Sequence, residues 1–399
     1  MLQRASDHEL AVKSDLVARA RALLPLLQQN ALRTEQERRV AEENIVAMTD
    51  AGLFRMMTPR RYGGYQVKLR SSLDVTSILA ESCGASSWVV SLLNNCAWVA
   101  ALMPTRTQDE IFGSDADVRI AGVLSPSAQT QRVDGGLVVS GKWFWASGVL
   151  HANWGMLGVI EQDASGRVSN QFLAFVPMEE LSIEHTWYAS GMKGTGSNCL
   201  VADDVFIPSH RMISLTDAVN GRYLTEHKDE SLYRSAFIPV MALSLIGPQL
   251  GLARAALAQT IGMAGQRNIP YTIYERQSDS PAFQLQVAEA AMKIDTAHLH
   301  AYRAADDVDD AAQRGEYLDF KLRARVRADT GYVAKTVTEA LNTLISAHGA
   351  GSFAEANPMQ RIWRDANTAA RHAFVLPPVC EELYGKVLLG VERNITPLI

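Results

Sequence analysis

The chain has 399 residues, with 38 Lys and Arg against 43 Asp and Glu, and a formal charge of −5. Hydrophobic residues make up 47% and charged residues 20%, a composition that builds a large core and excludes disorder or a coiled coil as the main description. Without a run of five basic residues there is no concentrated positive patch, so nucleic acid and anionic membranes are not expected partners, and a small molecule is the default ligand.

Four cysteines, Cys83, Cys96, Cys199 and Cys380, fit neither a zinc ribbon nor a disulfide framework. The opening segment MLQRASDHEL lacks the apolar run of a secretion signal, so a reducing cytoplasm is the expected compartment. Leu16, Ala20, Leu23 and Leu27 then recur at helical spacing. A second helix covers Glu42 to Ala51 with Gly52 as its stop, a third starts near Ser72, and a fourth covers Ser86 to Leu102.

From Arg119 to Ile213 the pattern changes to short alternating runs punctuated by Asp-Gly-Gly (134–136), Ala-Ser-Gly (146–148 and 164–166) and Gly-Thr-Gly (194–196), which predicts strands. In the run Leu137 to Ser147 the odd positions Leu137, Val139, Trp143, Trp145 and Ser147 are expected on one face, carrying two indoles and ending in a hydroxyl. After Asp229 long helices return: Ser235 to Arg267, Pro281 to Arg314, Tyr317 to His348, then a shorter pair from Pro358 and Pro378, with Asn357 as a helix-entry residue. The stretch Phe237 to Ala253 is apolar enough to raise a membrane span, but Pro239, Ser244, Gly247, Pro248 and Gln249 interrupt it, and a buried bundle helix is expected. The order predicts three lobes, residues 1–117, 118–214 and 215–399, with clefts between them where ligands commonly sit.

Several chemistries are absent. No G-x-G-x-x-G or G-x-x-x-x-G-K-[ST] occurs, so the chain offers no nicotinamide or nucleoside triphosphate site of its own. No H-E-x-x-H occurs, and His298 and His300 are two apart on a helix, hence on different faces, so no metal site is expected. The stretch Gly191 to Asn198 reads equally as an anion cradle of backbone N–H groups with Lys193 nearby or as a wide turn. His372, near a helix end, is a candidate general base or an ordinary helix C-terminal residue. Arg364 and Asp365 read as pairing residues, and Trp143 and Trp145, taken alone, as core.

Together these features resemble the acyl-CoA dehydrogenase fold, and more narrowly its two-component flavin-dependent monooxygenases. Four stretches carry the resemblance: Arg61 to Tyr65, Gly141 to Gly148, Gly191 to Asn198, and Arg361 to Ala366 with His372 following. It implies a mostly α fold with an N-terminal helical domain, a middle β domain and a C-terminal helical bundle. It also implies that Trp145 and Ser147 lie against a flavin, with Val123 and Leu124 on a second flavin-facing strand, and Lys193, Arg267 and Gly349 among the cofactor contacts. By the same resemblance Arg267 reaches a flavin phosphate of a neighbouring subunit.

The acyl-CoA dehydrogenases place a catalytic Glu where this chain has Ala373, whereas the hydroxylases place a histidine at the position of His372. The resemblance therefore implies an oxygenase that takes reduced flavin, FADH2 before FMNH2, from a separate NAD(P)H:flavin reductase and reacts it with O2 to a C4a-hydroperoxide. Ser147 would steady that intermediate and His372 would take a proton from the substrate. Trp88 and Asn94, Asn95 and Cys96 are expected at the pocket, where the lack of charge suits a flat apolar compound of indole or polycyclic phenol type. N-oxygenation of an amino sugar and S-oxygenation of a heterocycle stand as alternatives, and acyl-CoA dehydrogenation or a non-catalytic flavin-binding role as remoter ones. A homotetramer built as a dimer of dimers is implied as well.

Overall fold

The computed structural model describes residues 2–162, 165–392 and 394–399, with backbone alone at 2–8. Ala164, in the second Ala-Ser-Gly turn, lies outside the described residues. Helices come first: α1 (Leu2–Gln36), α2 (Glu42–Asp50), α3 (Leu69–Ala80), α4 (Gly84–Ala101) and α5 (Thr105–Phe112). Leu16, Ala20 and Leu27 of α1 are buried, as their spacing predicts. Gly52, one residue past the α2 cap, adopts φ 72°, the left-handed conformation that ends helices and that only glycine takes without strain. Almost every residue of α4 is buried, so this helix is the pillar around which the lobes assemble.

The strands are β1 (Ile120–Val123), β2 (Ala128–Val133), β3 (Gly136–Ala146), β4 (Trp154–Gln162), β5 (Val168–Pro177), β6 (Ser182–Glu184), β7 (Asn198–Pro208) and β8 (Met212–Ser214). They form two sheets, ordered β1-β4-β5-β8 and β2-β3-β7-β6, with β1 and β4 parallel and the remaining pairs antiparallel. The sheets are stitched by the Trp143 indole of β3, which donates to the Gly158 carbonyl of β4 at 2.8 Å.

The expected single face on β3 is not what forms. The β3–β7 register slips between Val139 and Gly141 and again between Trp143 and Ala146, and Trp145 takes φ 71°. A bulge resets the alternation. Trp143 is therefore buried between the sheets, while Trp145 turns outward at 72% exposure.

The rest is helical: α6 (Leu215–Val219), α7 (Phe237–Leu243), α8 (Gly247–Met263), α9 (Pro281–Gln313), α10 (Phe320–His348), α11 (Pro358–Ala369) and α12 (Pro377–Leu388). The helix expected over Ser235 to Arg267 is broken at 244–246, because the Pro248 ring cannot coexist with a helical carbonyl four residues back at Ser244. Within Phe237–Met263, 78% of the most apolar 18-residue stretch is buried within the protein. Side-chain caps start α9 (Ser280), α10 (Asp319) and α11 (Asn357). Asp309 of α9 reaches across to accept the Leu69 and Arg70 amides at the start of α3, docking the bundle on the N-terminal helices.

The α3–α8 seam depends on backbone contact at Gly251, where an added Cβ would stand 1.9 Å from the Ser77 carbonyl oxygen. Gly251→Ala is thus expected to destabilise by ~1–3 kcal/mol, although alanine is the better helix former. Urea unfolding followed by circular dichroism reads this as a lowered midpoint.

Candidate active site

The three lobes meet along one chain of contacts. The Trp88 indole on α4 donates to Ser147 Oγ, just past β3, at 3.1 Å. Ser147 Oγ lies 2.8 Å from Ser197 Oγ, which lies 2.6 Å from Thr195 Oγ1. Thr195 donates to the Met192 carbonyl at 2.8 Å, so the protons run in one direction: Ser197 donates to Thr195, and Ser147 donates to Ser197. Ser147 thereby accepts from Trp88 and keeps one lone pair for a further donor.

On its other side Trp88 faces His372, with ring centroids 6.2 Å apart, and His372 stacks on Phe374 at 5.9 Å and 23°. The Phe374 amide donates to His372 Nδ1 at 3.3 Å, which fixes the neutral ring's proton on Nε2. Burial first, and then the Arg327 guanidinium, push this imidazole down to about 4. The residue as a whole is partly exposed. The candidate general base is corrected here: with Nδ1 taken by the Phe374 amide and the imidazole held low by burial, His372 offers an Nε2–H. Because its folded pKa lies below the free value of about 6.5, its contribution to stability is full above that value and is lost as pH falls through about 4.

The glycine stretch is a turn and not an anion cradle. The amides of Thr195, Gly196 and Asn198 donate to carbonyls within it, and the Met192 amide donates to Asp365 Oδ1 at 2.6 Å. Lys193 pairs with Glu35 at 3.2 Å, and Glu35 is shared with Arg364 at 2.6 Å. This leaves Lys193 no free charge for a cofactor phosphate. Asp365, raised to about 6 by burial, and Arg364 do what their sequence suggested, tying α11 to the turn. Gly191 permits the approach, since a Cβ there would stand 2.1 Å from the Arg364 carbonyl oxygen.

The predicted pocket residues divide. Asn94 is structural: it accepts the Met57 amide at 3.1 Å and donates to the Leu53 and Val90 carbonyls. Cys96 is a thiol pushed up to about 12 by burial, with its sulfur packed against Gly122 of β1. Neither is placed to read a substrate. Asn95 is different. Its Nδ2 donates to Ser244 Oγ at 2.8 Å, while its Oδ1 is buried without a partner.

Surfaces that suit a flavin remain open. Val123 and Leu124 are partly exposed at the end of β1, and the Trp145 indole projects from β3. At the far end of α10 the Arg267 guanidinium rests on His348 at 2.8 Å, and a Cβ on Gly351 would lie 3.3 Å from its Nη2. Among the described residues no carboxylate pairs with Arg267. Gly349 takes φ 82° and opens the turn. A bare cation on a glycine turn fits a phosphate.

Sequence reasoning missed Thr195, Ser197, Phe374, Arg327 and Ser244. The first two sat in a stretch chosen for its glycines, where the hydroxyls were the usable signal. Arg327 had no signal, being one of the alternating cations Lys321, Arg323, Arg325 and Arg327.

Comparison with known proteins gives these features a family. Residues 243–377 match the acyl-CoA dehydrogenase C-terminal domain. Over 376 residues the chain is 32% identical to the oxygenase subunit HsaA of a flavin-dependent monooxygenase from Rhodococcus jostii, covering 93% of this chain and 97% of that one. It is 30% identical over 391 residues to the oxygenase component of an FADH2-dependent resorcinol hydroxylase from a Rhizobium species, covering 94% of each. The structure of XiaF from a Streptomyces species, in complex with FADH2 and glycerol, matches over 99% of both chains with a TM-score of 0.94 and 34% identity. The fold and site thus define an enzyme of the acyl-CoA dehydrogenase fold. Within it, the chain belongs to the flavin-dependent monooxygenases, as an oxygenase component that uses reduced flavin to hydroxylate an aromatic substrate and works beside a separate flavin reductase.

Trp88→Phe keeps the ring stack and removes the donor to Ser147. It is expected to fold and to lose about 1 kcal/mol in chemical unfolding, the net value of one buried hydrogen bond. A loss at or above about 3 kcal/mol would show that the indole's packing, and not its N–H, holds this junction.

Proposed function

We propose that the substrate is a flat, largely apolar aromatic compound bearing a ring hydroxyl or ring N–H, of indole or polycyclic phenol type. The observation that carries this reading is the unpartnered Oδ1 of Asn95. Ser244 donates its own proton to the Met241 carbonyl at 2.9 Å, so it can only accept from Asn95, and the amide orientation is fixed with Nδ2 toward Ser244. The leftover oxygen, in a residue only 4% exposed, demands a donor. Trp88, Leu92 and Asn95 share one face of α4, so two apolar side chains stand beside the free acceptor, which supports an aromatic body with a polar N–H or O–H.

Reduced flavin supplies the activated oxygen when it reacts with O2. Ser147 offers its free lone pair to an N–H of the reduced flavin ring, and Trp145 covers the ring's face. Where the substrate is a phenol that has left its proton with solvent on binding, His372 presents Nε2–H to the ring oxygen and stabilises the ionised ring, the better nucleophile. The two relatives named with FADH2 support FADH2 before FMNH2. Arg267 and Gly349 are taken as phosphate contacts. The exposed side chains Leu285, Met292 and Leu299, seven residues apart on α9, support a seam between copies of the chain, read as a dimer of dimers in the cytoplasm with lobes 1–117, 118–214 and 215–399.

The reading is tested by mixing the protein with reduced FAD, O2 and either indole or 2-naphthol, and measuring hydroxylated product against H2O2. Wild type is expected to couple the two. Ser147→Ala should still bind flavin yet release H2O2 in place of product, and His372→Ala should lose product roughly ten- to hundredfold, the value of one hydrogen bond to a charged oxygen. The His372 loss should shrink for rings that need no ionisation. Unchanged coupling in both variants would refute the assignments.

Arg267→Ala should weaken FAD binding at least about tenfold, as expected for loss of a charge-assisted contact, with the light-scattering mass of a tetramer retained. A monomer with full flavin affinity would overturn the assembly reading.

A further inference from the structure

A second arginine remains unexplained by cofactor or fold. Arg327, two turns into α10, is 2% exposed, and among the described residues no carboxylate pairs with it. Its Nη1 donates to the Leu398 carbonyl at 2.8 Å, its Nε has no partner, and its guanidinium lies over the Phe374 ring at 4.9 Å from the centroid. The Cys380 thiol, brought against α10 because Gly331 has no Cβ, donates to the Phe374 carbonyl. The segment that supplies the Leu398 carbonyl is itself anchored, with Ile399 buried against Ala324 and Leu383. A buried cation without a counter-ion is costly and is not kept for stability. Besides the Leu398 carbonyl, its neighbours are the Cys380 thiol and the Phe374 ring, and the Phe374 ring and amide in turn hold His372.

We propose that Arg327 is the positioning residue for His372, fixing the imidazole through Phe374 and keeping it uncharged with its proton on Nε2. This rests on the reading of His372 as the group that meets the substrate. The other charges nearby are engaged: Lys193 and Arg364 with Glu35, Asp365 with the Met192 amide, and Arg371 with Asn367. Trp88, Ser147 and Ser197 bring no charge. Arg327 alone acts on the charge of the ring, and burial acts in the same direction. Where a carboxylate beside a histidine would favour imidazolium, a guanidinium forbids it. A positive charge behind the ring also favours negative charge in front of it, on the substrate oxygen.

The first test needs no turnover and leaves Arg327 in place. Nuclear magnetic resonance of the intact protein labelled with ¹⁵N-histidine, with His372→Gln to assign the signal, should show an Nε2–H tautomer that does not titrate between pH 5.5 and 8. Titration near the free value of about 6.5, or an Nδ1–H tautomer, would overturn the proposal. The second test compares Arg327→Lys with Arg327→Met. In Arg327→Met the His372 titration should move up by about one pH unit, as expected for removal of a nearby like charge, and the acid limb of product formation should move with it. Arg327→Lys should hold both. Equal behaviour of the two variants in the titration would refute the electrostatic part. If His372 has the expected tautomer and titration but His372→Ala couples normally, the substrate role fails while the role of Arg327 stands.

Discussion

Much of this molecule is arranged around the hydrogen bond from the Trp88 indole to Ser147. It joins the one helix that is buried on nearly every side to the end of a strand, at the point where the bundle delivers His372. Each partner is fixed from behind. Trp88 is locked into α4, Ser147 into a hydroxyl chain that ends on a carbonyl of the glycine turn, and the turn into α11 through Asp365. Because the chain of donors has one polarity, Ser147 is left as an acceptor, and its chemistry follows from residues as distant in sequence as Thr195.

The bulge in β3 follows from the same constraint. A regular strand would put Trp143, Trp145 and Ser147 on one face, and the two indoles would compete for the core. The slipped register buries Trp143, where it bonds the opposite sheet, and releases Trp145 outward with a positive φ. The positive φ falls on Trp145, the side chain proposed to cover a flat ligand.

What the sequence made legible was mostly periodic or punctuating. Helical spacing in α1, the stop at Gly52, the β region between Arg119 and Ile213 and the entry at Asn357 all follow from local rules, and the structure repeats them within a few residues. The break at Ser244 was written in Pro248 and was read only as an interruption. Site residues depended on family likeness for Ser147 and His372, while their neighbours stayed hidden, because hydrogen-bond direction and burial are properties of assembled lobes. Asn94, Asn95 and Cys96 illustrate the limit. Three adjacent residues on one helix point to a backbone, to a helix break and to a strand, and nothing in their order says which one keeps a free acceptor.

Charge is distributed against the average. The chain carries a net −5, yet the carboxylates near the chamber are withdrawn: Glu35 is held by Lys193 and Arg364, Asp365 by a backbone amide, and Glu381, in the first turns of α12, by Lys335 on the surface. Among the described residues the Arg267 and Arg327 guanidiniums have no carboxylate partner; the first rests on His348 at the glycine turn after α10 and the second lies over Phe374. A low-dielectric interior magnifies such fields, which suits the ionised ligand proposed for this enzyme better than proton abstraction by a carboxylate. An alanine at position 373 and a buried cation behind the histidine both fit the proposed chemistry, in which negative charge on the substrate is stabilised while His372 stays neutral.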